Sequence, residues 1–405
     1  MASRSSEGEN RARLFNLPKR KRQSLSFTDS SSSDTRGNRG TKYKKPQHDA
    51  DSVSNWTTKT LNEYGIMYKN NPVTIEEFTN TIKSKANEVC EKTDPDFLST
   101  LVMLSKRGLA FSLDIPERVK ENKLSESSDK VLQILRDFDA FVNEILEKEE
   151  KYIGSEVRNK TLFFTWTYSV RSFLNYYKKF LEIVNISLAE SMLTKPVMEA
   201  HLHELFMVFS RIFFLEPELG SKEVKRLIIG TKVVSCIPDV RFTCLNPQKH
   251  GVLMMLTEGK KDESFRENKS FESRRTRRSS ESSVESDDDS GNYIHSLLDI
   301  HVLGRHGGEL LSELRTSAFA PTMVFGCICV ETEIIFTYLE MKGDHLNKIV
   351  FEGNCYGESS YIRYTKPLNY LMEEERSRCL DLLFLLGFIQ TAGYEDLFPT
   401  RQGKK

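Results

Sequence analysis

Residues 237–242 read IPDVRF, and residues 252–260 read VLMMLTEGK. Two apolar runs of this length, joined by a connection that contains Asn, Pro and Gly, predict a β-hairpin. Asp239 then opens one strand and Glu258 closes the other, so that an antiparallel pairing makes these two ends neighbours. Lys260 lies two positions beyond Glu258 and is expected on the same face. The hairpin therefore predicts two carboxylates and one ammonium group at one end of a sheet.

These three residue types suit metal-dependent hydrolysis of a phosphodiester bond. Two carboxylates offer oxygen ligands of the kind that Mg²⁺ or Mn²⁺ prefers, and such an ion keeps other positions for water and a phosphate oxygen. The bound ion lowers the pKa of the attacking water and offsets the charge that builds on phosphorus. An adjacent lysine orients that water or stabilises the added negative charge. Asp239, Glu258 and Lys260 are therefore the predicted catalytic residues.

Pro238-Asp239, followed on the next strand by Glu258-Gly259-Lys260, resembles the motif of the PD-(D/E)XK nucleases, the restriction-endonuclease-like superfamily. The resemblance implies an α/β domain over roughly residues 191–395, built as a mixed sheet flanked by helices. It also implies an Mg²⁺ or Mn²⁺ cofactor and a nucleic acid, expected to be DNA, as the partner.

Two further site residues are implied by this resemblance alone. An acidic residue on the helix before the hairpin often assists the metal in this family, and Glu199 matches that role as a third metal ligand. The family also places a helix after the lysine strand, often with a Gln or Glu facing the site. Glu309 is the best match for this catalytic position, with Arg305 or His306 as substitutes.

The Glu-x-Lys pattern by itself is common in a chain of which 29% of the residues are charged. It recurs, for example, at Glu223-Val224-Lys225 and Glu340-Met341-Lys342. Glu258 differs because an apolar run precedes it and an Asp opens the expected partner strand. The structural alternative is a solvated strand end at which Glu258 and Lys260 only face water.

The basic character of the chain is concentrated at its beginning. Residues 1–50 hold twelve Lys and Arg against five Asp and Glu and almost no periodic apolar content, which predicts a disordered basic tail. Within it, Lys19, Arg20, Lys21 and Arg22 form a compact cluster of the kind that nuclear import receptors bind. The cluster predicts a nuclear protein. The alternative is a solvated tail that only attracts polyanions.

Residues 51–190 have the pattern of a mainly helical region. Apolar residues recur at steps of three and four, and they predict helices at about 96–111, 128–149 and 161–184. We therefore expect the α/β fold class, in which a helical N-terminal half is followed by the restriction-endonuclease-like mixed sheet that the resemblance implies.

The second half changes to a strand-rich pattern after residue 220. The strands are expected at 225–235, 239–245, 252–257, 323–330, 334–341 and 348–351. Helices are expected near residues 196–213 and 295–318 and from Thr365 to Ile389. Residues 262–291 form a low-complexity block with a basic part, serines and an acidic part, and they predict a disordered insertion.

Composition limits the classes of protein that remain. The formal net charge is zero, which argues against a histone-like protein coated in positive charge. The seven cysteines show no C-x-x-C spacing and are expected to be buried thiols in a reducing compartment. The longest apolar run, residues 380–389, is shorter than a bilayer crossing requires, so no membrane partner is expected.

Three functions stay open on the sequence. The first is a metal-dependent nuclease that acts on DNA in the nucleus. The second is a catalytically inactive nuclease-fold module that binds nucleic acid or protein. The third is a helical interaction protein that is regulated by phosphorylation of residues 262–291, where Arg275 and Arg277 precede Ser280.

Overall fold

A mixed β-sheet covered by helices on both faces organises the chain. The computed structural model describes residues 51–89, 95–114, 124–189, 195–219, 224–244, 251–258, 293–319 and 322–391. All of them fall within one unit, Asp49–Lys405. The predicted disordered tail, residues 1–50, and the predicted insertion, residues 262–291, lie outside the described residues.

Eleven strands are present in the described part of the chain. They are β1 Asp51–Ser52, β2 Ile66–Tyr68, β3 Glu218–Leu219, β4 Lys225–Ile229, β5 Lys232–Cys236, β6 Val240–Thr243, β7 Val252–Glu258, β8 Met323–Val330, β9 Glu333–Glu340, β10 Ser360–Tyr364 and β11 Leu368–Asn369. The large sheet has the order β2-β10-β9-β8-β7-β6-β3, with β11 also paired to β9, and a small sheet has the order β1-β5-β4. The pairs β7–β8 and β2–β10 are parallel, and the other neighbours in the large sheet are antiparallel.

Ten α-helices surround these strands in the described residues. They are α1 Thr58–Glu63, α2 Ile75–Val89, α3 Pro95–Gly108, α4 Leu124–Glu147, α5 Glu149–Tyr152, α6 Val157–Ala189, α7 Lys195–Ser210, α8 Ile300–Glu313, α9 Gly343–Asn347 and α10 Glu373–Thr391. The helices α1 to α6 lie within residues 51–190, as the apolar pattern predicts, and β1 and β2 of the same region join the two sheets. No helix among the described residues combines the length and apolar character that a membrane crossing requires.

The central strand β8 shows why the sheet has helices on both sides. All eight of its residues are buried, and its sequence MVFGCICV is almost continuously apolar, as is usual for a strand covered on both faces. One face, with Phe325 and Cys327, packs on the core that α2, α3, α4, α6, α7 and α10 share. The other face, with Val324 and Ile328, packs on α8 and the N-terminal segment.

Helix α8 connects the parallel strands β7 and β8 and lies against the N-terminal segment. Gly304 on α8 is so close to this segment that a Cβ atom there would lie 2.3 Å from the Cα of Thr57. On the same helix, a Cβ atom at Gly308 would lie 2.6 Å from Cγ1 of Val53. The glycines therefore allow the segment before α1 to cover α8 directly.

Several strand and helix boundaries differ from the predictions, because turns and packing against distant residues determine them. The single strand predicted at 225–235 is the hairpin β4–β5, because the backbone turns at Gly230 with φ +58°. The strand predicted at 348–351 is wrong: Lys348–Glu352 is a π-helical turn that continues α9, and its apolar residues Ile349 and Val350 are buried in that form. Short apolar runs do not distinguish a strand from a helical turn.

The last helix was expected to begin at Thr365, and this is also wrong. Thr365 instead donates its backbone N–H to the carbonyl of Phe336, and β11 then pairs with β9, so that the chain stays extended until α10 begins at Glu373. The proline at 367 follows a strand and does not begin a helix. Strand β10, which was not predicted, pairs with β9 and with β2.

A buried arginine links this last helix to the helical layer. Arg376 is 1% exposed and donates to the carbonyls of Tyr370 and Leu371 and to those of Leu109 and Phe111, which follow α3. Burial lowers its pKa to about 10. The guanidinium therefore satisfies backbone acceptors that have left water.

Replacing Arg376 by Met should lower the free energy of unfolding by about 2–5 kcal/mol, because four carbonyls would lose a charged donor inside the core. Denaturation by urea measures this change. Arg378→Met, at an exposed position two residues later, is the matched control and should change stability by less than about 0.5 kcal/mol. Equal stability of the two variants would contradict the role given to Arg376.

Candidate functional site

The N-terminal half of α8 brings polar side chains onto the sheet. Asp299 begins the helix by accepting a hydrogen bond from the backbone N–H of His301 at 2.6 Å. Leu303 and Leu310 then pack in the core beneath the sheet. Arg305 and Glu309 are four residues apart, so they lie one above the other on the helix surface.

A chain of buried hydrogen bonds joins α8 to two strands. Thr257 on β7 donates its hydroxyl to Oε2 of Glu309 at 2.5 Å, and its oxygen lies 2.7 Å from Nδ1 of His306. Nε2 of His306 lies 2.7 Å from the hydroxyl of Thr337 on β9. All four residues are buried, and they are called the polar cluster below.

The proton positions in the polar cluster follow from its donors and acceptors. Burial and the nearby Arg305 lower the pKa of His306 to about 3, so the ring is neutral and carries one N–H. Because the Thr257 hydroxyl already donates to Glu309, it accepts from Nδ1–H of His306. Nε2 then accepts from the hydroxyl of Thr337. Gly326 makes room for this ring, since a Cβ atom there would lie 2.8 Å from Cε1 of His306.

Arg305 extends the polar cluster towards solvent and connects it to Asp239. Its Nε donates to Oε1 of Glu309 at 3.0 Å, and its Nη2 donates to Oδ2 of Asp239. Glu309 is 2% exposed, whereas the side chains of Arg305 and Asp239 are 28% and 27% exposed. The site therefore runs from a buried carboxyl group to a half-buried one, with the guanidinium between them.

Glu309 has a strongly shifted pKa. Burial is the main cause, the negative charge of Asp239 adds to it, and Arg305 and the hydrogen bond from Thr257 oppose it; the pKa rises to about 7. Burial, with a smaller contribution from Glu309, also raises the pKa of Tyr68, whose hydroxyl donates to the carbonyl of Leu303 at 3.0 Å. A carboxyl group that changes protonation near neutral pH is typical of functional sites, although buried ion pairs also produce such shifts.

A second ion pair lies one turn further along α8. Arg241 on β6 and Glu313 are both buried, and their Nη2 and Oε1 atoms are 2.6 Å apart. Lys225 adds a more distant contact, with its Nζ 3.6 Å from Oε2 of Glu313. This pair holds β6 against α8, and so it helps to place Asp239, which directly precedes β6.

The predicted hairpin is confirmed as the antiparallel pair β6–β7. Val240 pairs with Leu256, so the register places Thr257 across from Asp239. The prediction that Glu258 is the neighbour of Asp239 is therefore off by one residue, and Thr257 is the residue of β7 that shares a sheet face with Asp239. Glu258 is the last residue of β7.

The other predicted site residues divide into two groups. Glu309 is brought together with Asp239 through Arg305. Glu199 lies on α7, but its side chain, that of Glu258 and the whole of Lys260 lie outside the described residues. Convergence of all five predicted residues therefore stays a prediction.

Sequence reasoning missed Thr257 and Thr337 as members of the polar cluster. The available signal was a hydroxyl residue inside an apolar strand, as in residues 252–257 and 334–339. A buried polar side chain needs a partner, so such a residue indicates a contact across the core. The contact of Arg305 with Asp239 had no sequence signal.

The donor chemistry fits a hard divalent cation only in part. Asp239 offers carboxylate oxygens at a half-buried position, which suits Mg²⁺ or Mn²⁺. Both carboxyl oxygens of Glu309 already accept hydrogen bonds, Oε1 from Arg305 and Oε2 from Thr257. Glu309 is therefore placed to position Arg305 and not to bind an ion. Among the described residues no three His, Cys, Asp or Glu side chains are grouped as metal ligands.

Replacing Glu309 by Gln should change how stability depends on pH. In the folded state the pKa of Glu309 is raised from about 4.5 to about 7, so the folded protein holds this proton more tightly than the unfolded chain. The resulting stabilisation is complete below pH 4.5 and is lost as the pH rises through 7. Relative to Glu309→Gln, the wild-type protein should lose about 3 kcal/mol of unfolding free energy over this interval, because one pKa unit corresponds to about 1.4 kcal/mol.

Urea denaturation at pH 4.5 and 8 measures this difference. Glu374→Gln, at an exposed position on α10, is the control and should follow the wild-type pH dependence. A difference between wild type and Glu309→Gln that stays constant over this pH range would contradict the protonation assigned to Glu309.

Comparison of this chain with known proteins gave no match: no family model, no curated protein and no solved structure matches it.

Proposed function

We propose that this protein is a metal-dependent nuclease of the PD-(D/E)XK type that hydrolyses phosphodiester bonds in nucleic acid, with DNA as the expected substrate. One observation carries the proposal. Asp239, which directly precedes β6, and Glu309, on α8, are held together by Arg305 at the end of the sheet where β7 finishes with Glu258.

The order of the elements supports this proposal. After helix α7 the chain forms β3 and the hairpin β4–β5, and then the antiparallel pair β6–β7; α8 follows, and then β8, which is parallel to β7. Asp239 directly precedes β6 and Glu258 ends β7, and the resemblance implies a hairpin with a helix before it and a helix and a strand after it. The parallel pairing matters because it requires the chain to cross the sheet, which brings α8 over the hairpin.

Each residue has a role in this proposal. Asp239 and Glu258 would hold the divalent ion, with Glu199 as a third ligand. The ion supplies an activated water and stabilises charge on phosphorus. Lys260 orients the water or stabilises the added negative charge. Glu309 is a positioning residue, since it contacts Asp239 only through Arg305.

A second candidate is a nuclease-fold module that binds nucleic acid or protein without cutting. The position of Arg305 favours it. The guanidinium already contacts both Asp239 and Glu309, so a positive charge is present where the nuclease mechanism needs a divalent ion. The guanidinium of Arg305 can neutralise these carboxyl groups in place of a metal ion, so the fold can remain stable in a protein that no longer hydrolyses nucleic acid.

Asp239→Ala, Glu258→Ala and Lys260→Ala should each reduce Mg²⁺-dependent DNA cleavage at least about a hundredfold, because each removes a group that stabilises the transition state. The assay uses single-stranded, duplex and branched DNA, and RNA of the same sequence, with Mg²⁺ and with Mn²⁺. Asp381→Ala, at an exposed position on α10, is the matched control and should leave cleavage unchanged.

Thermal melting of every variant separates loss of chemistry from loss of folding. Wild-type protein that binds these nucleic acids but cuts none of them would favour the second candidate. Wild-type protein that neither binds nor cuts them would contradict both.

A further inference from the structure

The hairpin β4–β5 has two faces with different surroundings. Successive side chains of a strand point to opposite faces, so one set of residues faces the core and the other faces outward. The inner set is buried in the core that contains α8 and the N-terminal segment, and it consists of Leu227, Ile229, Val234 and Cys236.

The outward residues form three cross-strand pairs, which are called the outer hairpin face below: Val224–Ile237, Arg226–Ser235 and Ile228–Val233. The first of these pairs continues the register of the hairpin by one residue beyond each strand. Its two members and those of the third pair are between 42% and 58% exposed. Two apolar pairs therefore flank one polar pair on a surface that faces water.

This surface is unusual for a hairpin that rests on a core. Antiparallel strands with one buried face commonly carry polar residues on the other face. Here Ile228 and Val233 lie directly opposite each other on the exposed side. Grouped exposed apolar side chains with polar neighbours mark surfaces that bind another molecule.

The charges of the hairpin indicate the kind of partner. Residues 224–237 read VKRLIIGTKVVSCI, with three basic residues and no acidic one. Arg226 and Lys232 are exposed, and Glu352, beside the turn, balances only one of them. Two copies of this face brought together would place like charges next to each other. Charge complementarity therefore favours an acidic partner over a second copy of this chain.

The dimensions of the outer hairpin face suit a helix. Its two apolar pairs are four residues apart along the strands, which is about 13 Å at about 3.3 Å per residue. A helix covers this distance in about nine residues, so apolar residues at positions i, i+4 and i+8 reach both pairs. Nucleic acid fits this face less well, because its Val and Ile side chains offer no aromatic ring on which bases stack.

We propose that the outer hairpin face binds an amphipathic helix of a partner protein, with an apolar stripe and acidic residues beside it. The stripe packs on the two apolar pairs, and an acidic residue of the helix pairs with Arg226. Ile237 precedes Asp239 by two residues, so the bound helix lies next to the candidate site. This binding does not depend on the proposed nuclease activity, and its test uses no nuclease assay.

The test selects binders to the full chain from a phage-displayed library of helical peptides with randomised apolar, acidic and basic positions. The selected peptides should carry apolar residues at i, i+4 and i+8 together with Asp or Glu. Fluorescence anisotropy of the synthetic peptides then measures their affinity for wild type and for variants of the outer hairpin face.

The double variant Ile228→Thr/Val233→Thr should weaken peptide binding at least about tenfold, because it removes one apolar pair from the interface. Threonine keeps the β-branched shape that suits a strand, and thermal melting checks the fold. Val157→Thr makes the same kind of change at a position on α6 that is 77% exposed, and it should bind like wild type.

Arg226→Glu should also weaken binding at least about tenfold, because it places a like charge against the acidic helix. Arg378→Glu, at an exposed position on α10, is its matched control and should leave the affinity unchanged. A library that yields no binder, or binders that neither variant of the outer hairpin face weakens, would overturn the proposal.

Other occupants of the outer hairpin face would overturn it as well. Sedimentation that shows a wild-type dimer, lost in Ile228→Thr/Val233→Thr, would assign the face to a second copy of this chain. Binding of phosphatidylserine vesicles that the same double variant abolishes would assign it to a membrane surface. Duplex DNA binding that is lost in this variant would assign it to nucleic acid.

Discussion

The burial of the Glu309 carboxyl group is the constraint on which the arrangement around α8 depends. Moving an ionised carboxylate out of water costs several kcal/mol unless hydrogen bonds and an opposite charge compensate. Thr257 and Arg305 supply this compensation, one at each oxygen. His306 and Thr337 complete the network, so that β7, α8 and β9 are joined by polar contacts inside an apolar core.

The position of α8 links this constraint to the rest of the fold. Its glycines admit the N-terminal segment on one side, while its leucines pack beneath β8 on the other. Strand β2 of the same N-terminal region pairs with β10, and the long helices α4 and α6 share a core with β6 and β7. Consequently, the mainly helical first half and the sheet of the second half support one another.

Local sequence patterns were enough to predict the long buried strands at the centre of the sheet. The apolar runs at 252–257 and 323–330 correspond to β7 and β8 because long buried strands leave a strong signal. They were not enough for Lys348–Glu352, because a short apolar run is compatible with both a strand and a helical turn. They were also not enough for β10, because this strand forms by pairing with β2 and β9, which are distant in the sequence or set by the fold.

The candidate site shows the same division between local and distant information. Asp239 and Glu309 were each singled out from a motif resemblance, but their connection through Arg305 depends on how α8 crosses the sheet. Thr257 and Thr337 left only the weak signal of a hydroxyl in an apolar strand. Side-chain contacts between elements depend on register and crossing direction, and a single sequence contains no direct record of either.

The proposed function requires a divalent-ion site at the end of the sheet where Asp239 and Glu258 lie. Crystals of the full chain soaked in Mn²⁺ test it most directly, because anomalous scattering locates the ion without reference to activity. The proposed function predicts one Mn²⁺ ion bound by the carboxylates of Asp239 and Glu258. An ion-free site at saturating Mn²⁺ would overturn that function.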